Sequence, residues 1–198
     1  MMDSLWLETL QRICSGAAHE LKGALNGVAV NLEVVRSRSG KSDVPASSVS
    51  KFATAASDQL DAVISMTEAI LVLARVPRAP VEIAAVLHAI LDLLGPVARA
   101  DGRRLEADGA FDDLGRTSAS GNAVRVAIGR CLLAAVEASK DVRCTPAPSP
   151  DGVGEPVVRI ESSDGTVLVV DDSIIAAAAA AGIRIQTESS VISISFPR

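Results

Sequence analysis

The sequence predicts an α+β chain in which a long helical hairpin, forming a dimeric four-helix bundle, is followed by an α/β sandwich. Three observations carry this reading. Apolar residues recur in steps of three and four through two long N-terminal stretches separated by a short Ser/Gly/Pro loop. A stiff segment, Arg75-Val76-Pro77-Arg78-Ala79-Pro80, then breaks the pattern. Beyond it, helical periodicity gives way toward the C-terminus to alternating β-branched runs. The expected division is a hairpin domain over 1–78 and an α/β domain over 79–198.

From 4 to about 37, Leu10, Ile13, Ala17, Leu21, Leu25, Val28, Leu32 and Val35 mark one face of a helix, with Ser4 as its N-cap. Gly40, the polar residues around it and Pro45 end that helix. The second runs from about 47 to 76, striped by Phe52, Ala56, Leu60, Val63, Thr67, Ile70 and Ala74, until Pro77 and Pro80 stop it. Each helix is roughly 45 Å long at 1.5 Å per residue. A lone hairpin covers only one side of each stripe, so a homodimer is expected.

After the linker, 81 to about 100 is helical through Ile83, Val86, Leu87, Ile90, Leu91 and Leu94, with Pro96 kinking its last turns. A short strand is expected over 104–106, a polar loop over 108–120, and a helix over 123–139 opened by Gly121-Asn122. A Pro/Ser-rich loop over 145–152 precedes a strand over 156–161. Asp164-Gly165, between the runs 157–161 and 167–171, reads as the turn of a β-hairpin. The six alanines 176–181 suit one or two helical turns, and the alternating runs 183–185 and 191–196 are the last strands.

Composition narrows the function classes. A 48% hydrophobic content over 198 residues supplies a packed core, while 2% aromatics and no Tyr leave no platform for stacking bases. The net charge of −5, with no Lys/Arg stripe, argues against nucleic acid as a partner. No uninterrupted apolar run approaches the roughly 18 residues of a membrane span, and no basic region precedes an apolar one at the N-terminus, so no membrane association and a cytoplasmic location are expected. Cys14, Cys131 and Cys144 lack paired spacing, which suits reduced thiols rather than zinc ligands or a disulfide framework.

The chemistry concentrates at Ala17-Ala18-His19-Glu20-Leu21-Lys22-Gly23-Ala24-Leu25-Asn26-Gly27. On a helix, His19 shares a face with Arg12, Ser15, Lys22 and Asn26 and points away from the seam of Ala17 and Leu21, so it is expected in solvent. Glu20 lies next to it around the helix, where a carboxylate can orient an imidazole and raise its nucleophilicity. Gly16, Gly23 and Gly27 lie on the Glu20 side. Each costs a helix roughly 1 kcal/mol relative to Ala, which implies close approach by another helix or a docking partner. The zinc-protease pattern fails, because Gly23 stands where the second histidine would be. His88 with Asp92, and the pair Asp171-Asp172, read as structural or surface features, and no metal site is expected.

The box His19-Glu20-Leu21-Lys22-Gly23-Ala24-Leu25 resembles the phosphoacceptor motif of bacterial two-component sensor histidine kinases, whose dimerisation and phosphotransfer domain precedes an ATP-binding domain. The resemblance implies that His19 is the phosphoacceptor and Glu20 its acid/base neighbour. From the helical face and the three glycines, Arg12, Ser15, Gly16, Lys22, Gly23, Asn26 and Gly27 are expected to form the surface that meets a partner. Gly23 replaces the Thr or Asn that supports phosphatase action, and Ala24 replaces a proline.

The second region resembles the ATP-binding domain in order but not in chemistry. Ala134 stands in place of the magnesium-binding Asn, and Glu137 alone of that motif is retained. No glycine follows Asp171-Asp172 until Gly182, so the glycine-rich phosphate cradle is missing. The resemblance thus implies a degenerate ATP-binding-like domain and a histidine phosphotransferase that relays phosphoryl groups between receiver-domain aspartates without ATP. No cofactor is expected on the chain itself, Mg²⁺ belonging to the receiver. The implied partners are a second copy, response-regulator receivers and a sensor kinase. The alternative is a non-catalytic pseudo-histidine-kinase that regulates a kinase or response regulator by binding it.

Overall fold

The computed structural model describes residues 1–41, 45, 47–75, 79–147 and 154–198. Two long helices, α1 (Met2–Ser39) and α2 (Ser47–Ala74), lie side by side as the expected hairpin. The expected end of the second helix at Val76 and the domain boundary at 78 lie outside the described residues, as do Ser42, Asp43, Val44 and Ala46 of the connecting loop.

A mixed α/β region follows. Strand β1 (Val81–Glu82) leads into α3 (Ile83–Ala100) and then β2 (Arg104–Ala107). A 3-10 turn over Phe111–Leu114 and a short strand β3 (Arg116–Thr117) precede α4 (Gly121–Ala138), whose N-cap Ser120 accepts from the Ala123 amide at 3.4 Å. Strands β4 (Asp141–Ala147) and β5 (Val157–Ser162), helix α5 (Asp172–Ala179), and strands β6 (Arg184–Glu188) and β7 (Val191–Ser195) complete it. One sheet has the order β2-β4-β5-β7-β6, with β2 parallel to β4 and the other pairs antiparallel. β1 and β3 pair separately.

The sheet's inward residues, among them Val142, Val158, Ile160, Ile192 and Ile194, share one core with Leu87, Ile90 and Leu94 of α3 and Ile128 and Leu132 of α4. Trp6, Ile13 and Ala17 of α1 and Met66, Ala69 and Leu73 of α2 belong to the same core. By length and composition, Ile83–Ala100 could cross a membrane, but 56% of it is buried here, and its apolarity is that of a core helix. Beyond Ala17 no α1 residue is buried, so the distal hairpin stands clear of this core.

Ser4 does not cap α1, which begins at Met2 with Met1 as its N-cap and no side-chain cap bond. Three further sequence expectations need correction. The hairpin at Asp164-Gly165 does not form, because β5 already has β4 on one side and β7 on the other, leaving no free edge for 167–171. Instead the Asp164 carboxylate accepts from Ser162 Oγ (2.6 Å), the Thr166 amide (3.0 Å) and the Lys140 amide (3.0 Å), which pins the turn to the α4–β4 corner. These donors, the Ser162 hydroxyl first, hold its carboxyl well below the usual range. The alternation of 167–170 is real, with Leu168 and Val170 buried and Val167 and Val169 exposed. Its pairing, however, reduces to one bond from the Leu168 amide to the Ser189 carbonyl (2.9 Å).

The second correction is β4. Its last three residues, Thr145–Ala147, read as loop in the sequence, yet Pro146 lies in the ladder opposite Val158. Residues 148–153 of that loop are outside the described set. Third, 108–120 is not all loop, since it holds the 3-10 turn and β3.

Candidate functional site

α1 sets out the candidate residues on one face. His19 is exposed, as expected, and so are Ser15, Lys22, Gly23 and Asn26. Among the described residues, neither His19 nor Glu20 makes a side-chain hydrogen bond or ion pair, so the imidazole is not oriented by Glu20 in the free chain. Glu20 is instead half-buried and lines a groove of about 330 Å³ between the hairpin and α3, shared with Asp58, Gln59, Met66 and Arg99.

The three glycines divide by what they face. A Cβ on Gly16 would lie 2.9 Å from Val97 Cγ1, so this glycine lets α1 and α3 cross closely. A side chain at Gly27 would run into the amide of Gln59, which receives a hydrogen bond from Asn31 at 3.2 Å. Gly23, one turn beyond His19, meets nothing within 4 Å. Gly23→Ala is therefore expected to stabilise the chain by about 0.5–1 kcal/mol, whereas Gly16→Ala gains the same helix propensity but must push Val97 aside. Thermal melts of both variants check this: the Gly23 variant melts above the wild type, and the Gly16 variant melts below the Gly23 variant.

Arg12 differs from the rest of this face, because it forms an ion pair and hydrogen bond with Glu137 of α4. The two border a cleft of about 200 Å³ that also holds Arg130, Ala134, Val169 and Asp171. Asp171 is the N-cap of α5, accepting from the Ser173 amide at 2.7 Å, and the Ser173 hydroxyl together with that amide lowers its pKa. Among the described residues there is no cluster of three metal-ligating side chains. His88 lies on α3 with its ring edge-on to Phe111 at 5.8 Å. Burial pushes the thiols up, Cys144 to about 12, and Cys14, Cys131 and Cys144 are all unpaired.

Two charged residues carry contacts that the sequence reading did not single out. Arg125 is 4% exposed and the Arg130 side chain 11%, both on α4, whose only other polar side chains are Asn122 and Glu137 near its two ends. A pair of arginines five apart inside an apolar helix was the available signal, since buried charge demands partners.

No family model matches the sequence, and no curated protein matches it. Among solved structures, the chain is similar to full-length ShkA in complex with AMPPNP, with a TM-score of 0.41 and 16% identity, over 94% of this chain and 45% of that one. The chain thus spans less than half of ShkA's length. It is also similar to the Acinetobacter baumannii histidine kinase AdeS, with a TM-score of 0.39 and 13% identity, over 90% of this chain and 97% of that one.

Proposed function

We propose that this chain is a cytoplasmic histidine phosphotransferase that relays phosphoryl groups between receiver aspartates through His19. The observation that carries the reading is an exposed His19 that makes no side-chain hydrogen bond among the described residues, next to open space at Gly23. A nucleophile that must reach into another protein needs both. His19 Nε2 attacks the phosphorus of an aspartyl phosphate, the P–N bond forms, and the aspartate carboxylate leaves. The reverse step on a second receiver returns His19 to its starting form. Lys22, one turn along, offsets phosphate charge, and the receiver supplies its own Mg²⁺. Glu20 turns toward the imidazole once a partner is seated.

Two further observations support a relay rather than an ATP-dependent kinase. Ala134 presents a methyl group to the cleft where the resemblance would have a magnesium ligand. The cleft's 200 Å³ also falls below the roughly 300 Å³ at which small-molecule sites begin. The test is to incubate the chain with a phosphorylated receiver of the same organism. We expect acid-labile, base-stable phosphate on the chain, followed by its loss to a second receiver. No transfer from any receiver overturns the reading.

The homodimer is part of this proposal. On α1, Leu7, Cys14, Leu21 and Val28 alternate with Gln11, Ala18, Leu25 and Leu32 in steps of four and three. On α2, Ala53, Ser57, Leu60, Ile64, Thr67 and Leu71 do the same. Leu7, Leu25, Leu32, Leu60, Ile64 and Leu71 are each about half exposed, as two seams without partners would be. Leu25→Glu combined with Ile64→Glu is expected to convert a dimer into a monomer by light scattering. A wild-type chain that is monomeric at micromolar concentration refutes the dimer.

A further inference from the structure

The first turns of α1 and the length of α4 run in the same direction and are tied at three points. Asp3 Oδ1 accepts from Asn122 Nδ2 at 2.8 Å, Glu8 pairs with Arg130 at 2.6 Å, and Arg12 pairs with Glu137. Between the ties the helices touch closely: a Cβ on Gly129 would lie 2.8 Å from Thr9 and 3.4 Å from Ile13. Only a glycine permits that approach.

The two ion pairs are unequal. The Arg130 side chain is 11% exposed and its Nε is buried with no partner among the described residues, so Glu8 supplies its countercharge. The Arg12 and Glu137 side chains are 42% and 56% exposed, within reach of salt and solvent. Arg12 also borders the cleft that Arg130 lines, so α1 itself closes that cleft.

We propose that Arg130–Glu8 and Arg12–Glu137 form an ionic latch between α1 and α4, which holds the two helices in register and yields first at its exposed Arg12–Glu137 pair. The latch stands on this geometry alone and does not depend on phosphoryl transfer at His19. With it closed, the hairpin and the sheet move as one body. With its outer pair screened, α1 loosens from α4 around Arg12 while the sheet keeps its pairing.

Hydrogen exchange on the full-length chain tests this, reading amides of 6–16 against those of β5 and β7. Arg12→Glu and Glu137→Arg singly are each expected to speed exchange over 6–16 about fivefold, and the double swap to restore it. Raising NaCl from about 0.05 to 1 M should speed the same segment in the wild-type chain, which keeps the test available where a variant fails to fold. Unchanged exchange over 6–16 overturns the latch. So does a swap that fails to restore protection, or an increase shared equally by β5 and β7, which would signal global destabilisation.

Discussion

Arg125→Met is expected to destabilise the chain by about 2–4 kcal/mol, the largest effect of any single side-chain replacement outside the apolar core. Arg125 is 4% exposed, and its guanidinium Nη2 donates to the carbonyls of Val72 at 3.1 Å, in the last turn of α2, and of Arg75 at 2.7 Å, just past its end. Among the described residues no carboxylate contacts it directly, and its positive charge is compensated by the negative end of the α2 dipole and by the face of Trp6, whose ring centre lies 5.2 Å away. Asn122, held by Asp3, receives a longer bond from Nη1 at 3.4 Å. Methionine matches the volume but leaves two carbonyls unpaired and α2 uncapped. The chain has one Trp and no Tyr, so Trp6 fluorescence reports this corner alone. Denaturant unfolding followed at Trp6 should show the lower midpoint, and a change within about 0.5 kcal/mol would show that the contacts contribute no more than an ordinary surface residue.

His19→Gln is expected to lower phosphoryl acceptance by more than about a thousandfold, to the uncatalysed level, while the chain stays folded. Glutamine keeps a polar side chain of similar reach and good helix propensity, and His19 makes no contact in the free chain that the change would break. Receiver binding should therefore persist with transfer gone. Glu20→Ala is expected to slow transfer by roughly 10- to 100-fold, less than loss of the nucleophile, because the nucleophile remains. The two variants separate chemistry from docking: a His19→Gln chain that still regulates its partner in full would favour the non-catalytic pseudokinase reading.

Much of this was legible in the amino-acid order. The hairpin, α3, α4 and the last two strands follow from periodicity, and the exposure of His19 follows from the face that Arg12, Ser15, Lys22 and Asn26 define. What failed depended on neighbours distant in sequence. Val167 to Val170 alternate like a strand, yet both edges of β5 were taken by β4 and β7, a fact of sheet order invisible locally. Pro146 disguised the end of β4 as loop. Arg12 has the right helical face for a partner, but Glu137, 125 positions away, claims its charge within the chain. The three glycines looked alike in sequence, and only the positions of Val97 and Gln59 show that Gly16 and Gly27 serve internal crossings while Gly23 faces open space.

The shared core has a consequence for how such a chain can change over generations. Ile13, Ala17, Met66 and Leu73 are packed with α3 and α4, so a break near residue 78 would strip apolar surface from both fragments at once. Recombination could not lend this hairpin to another sheet as a ready-made cassette, since the borrowed part would arrive with a mismatched face. The histidine-bearing helix and the sheet-bearing region are therefore one packing unit, and neither can be exchanged without repacking the other.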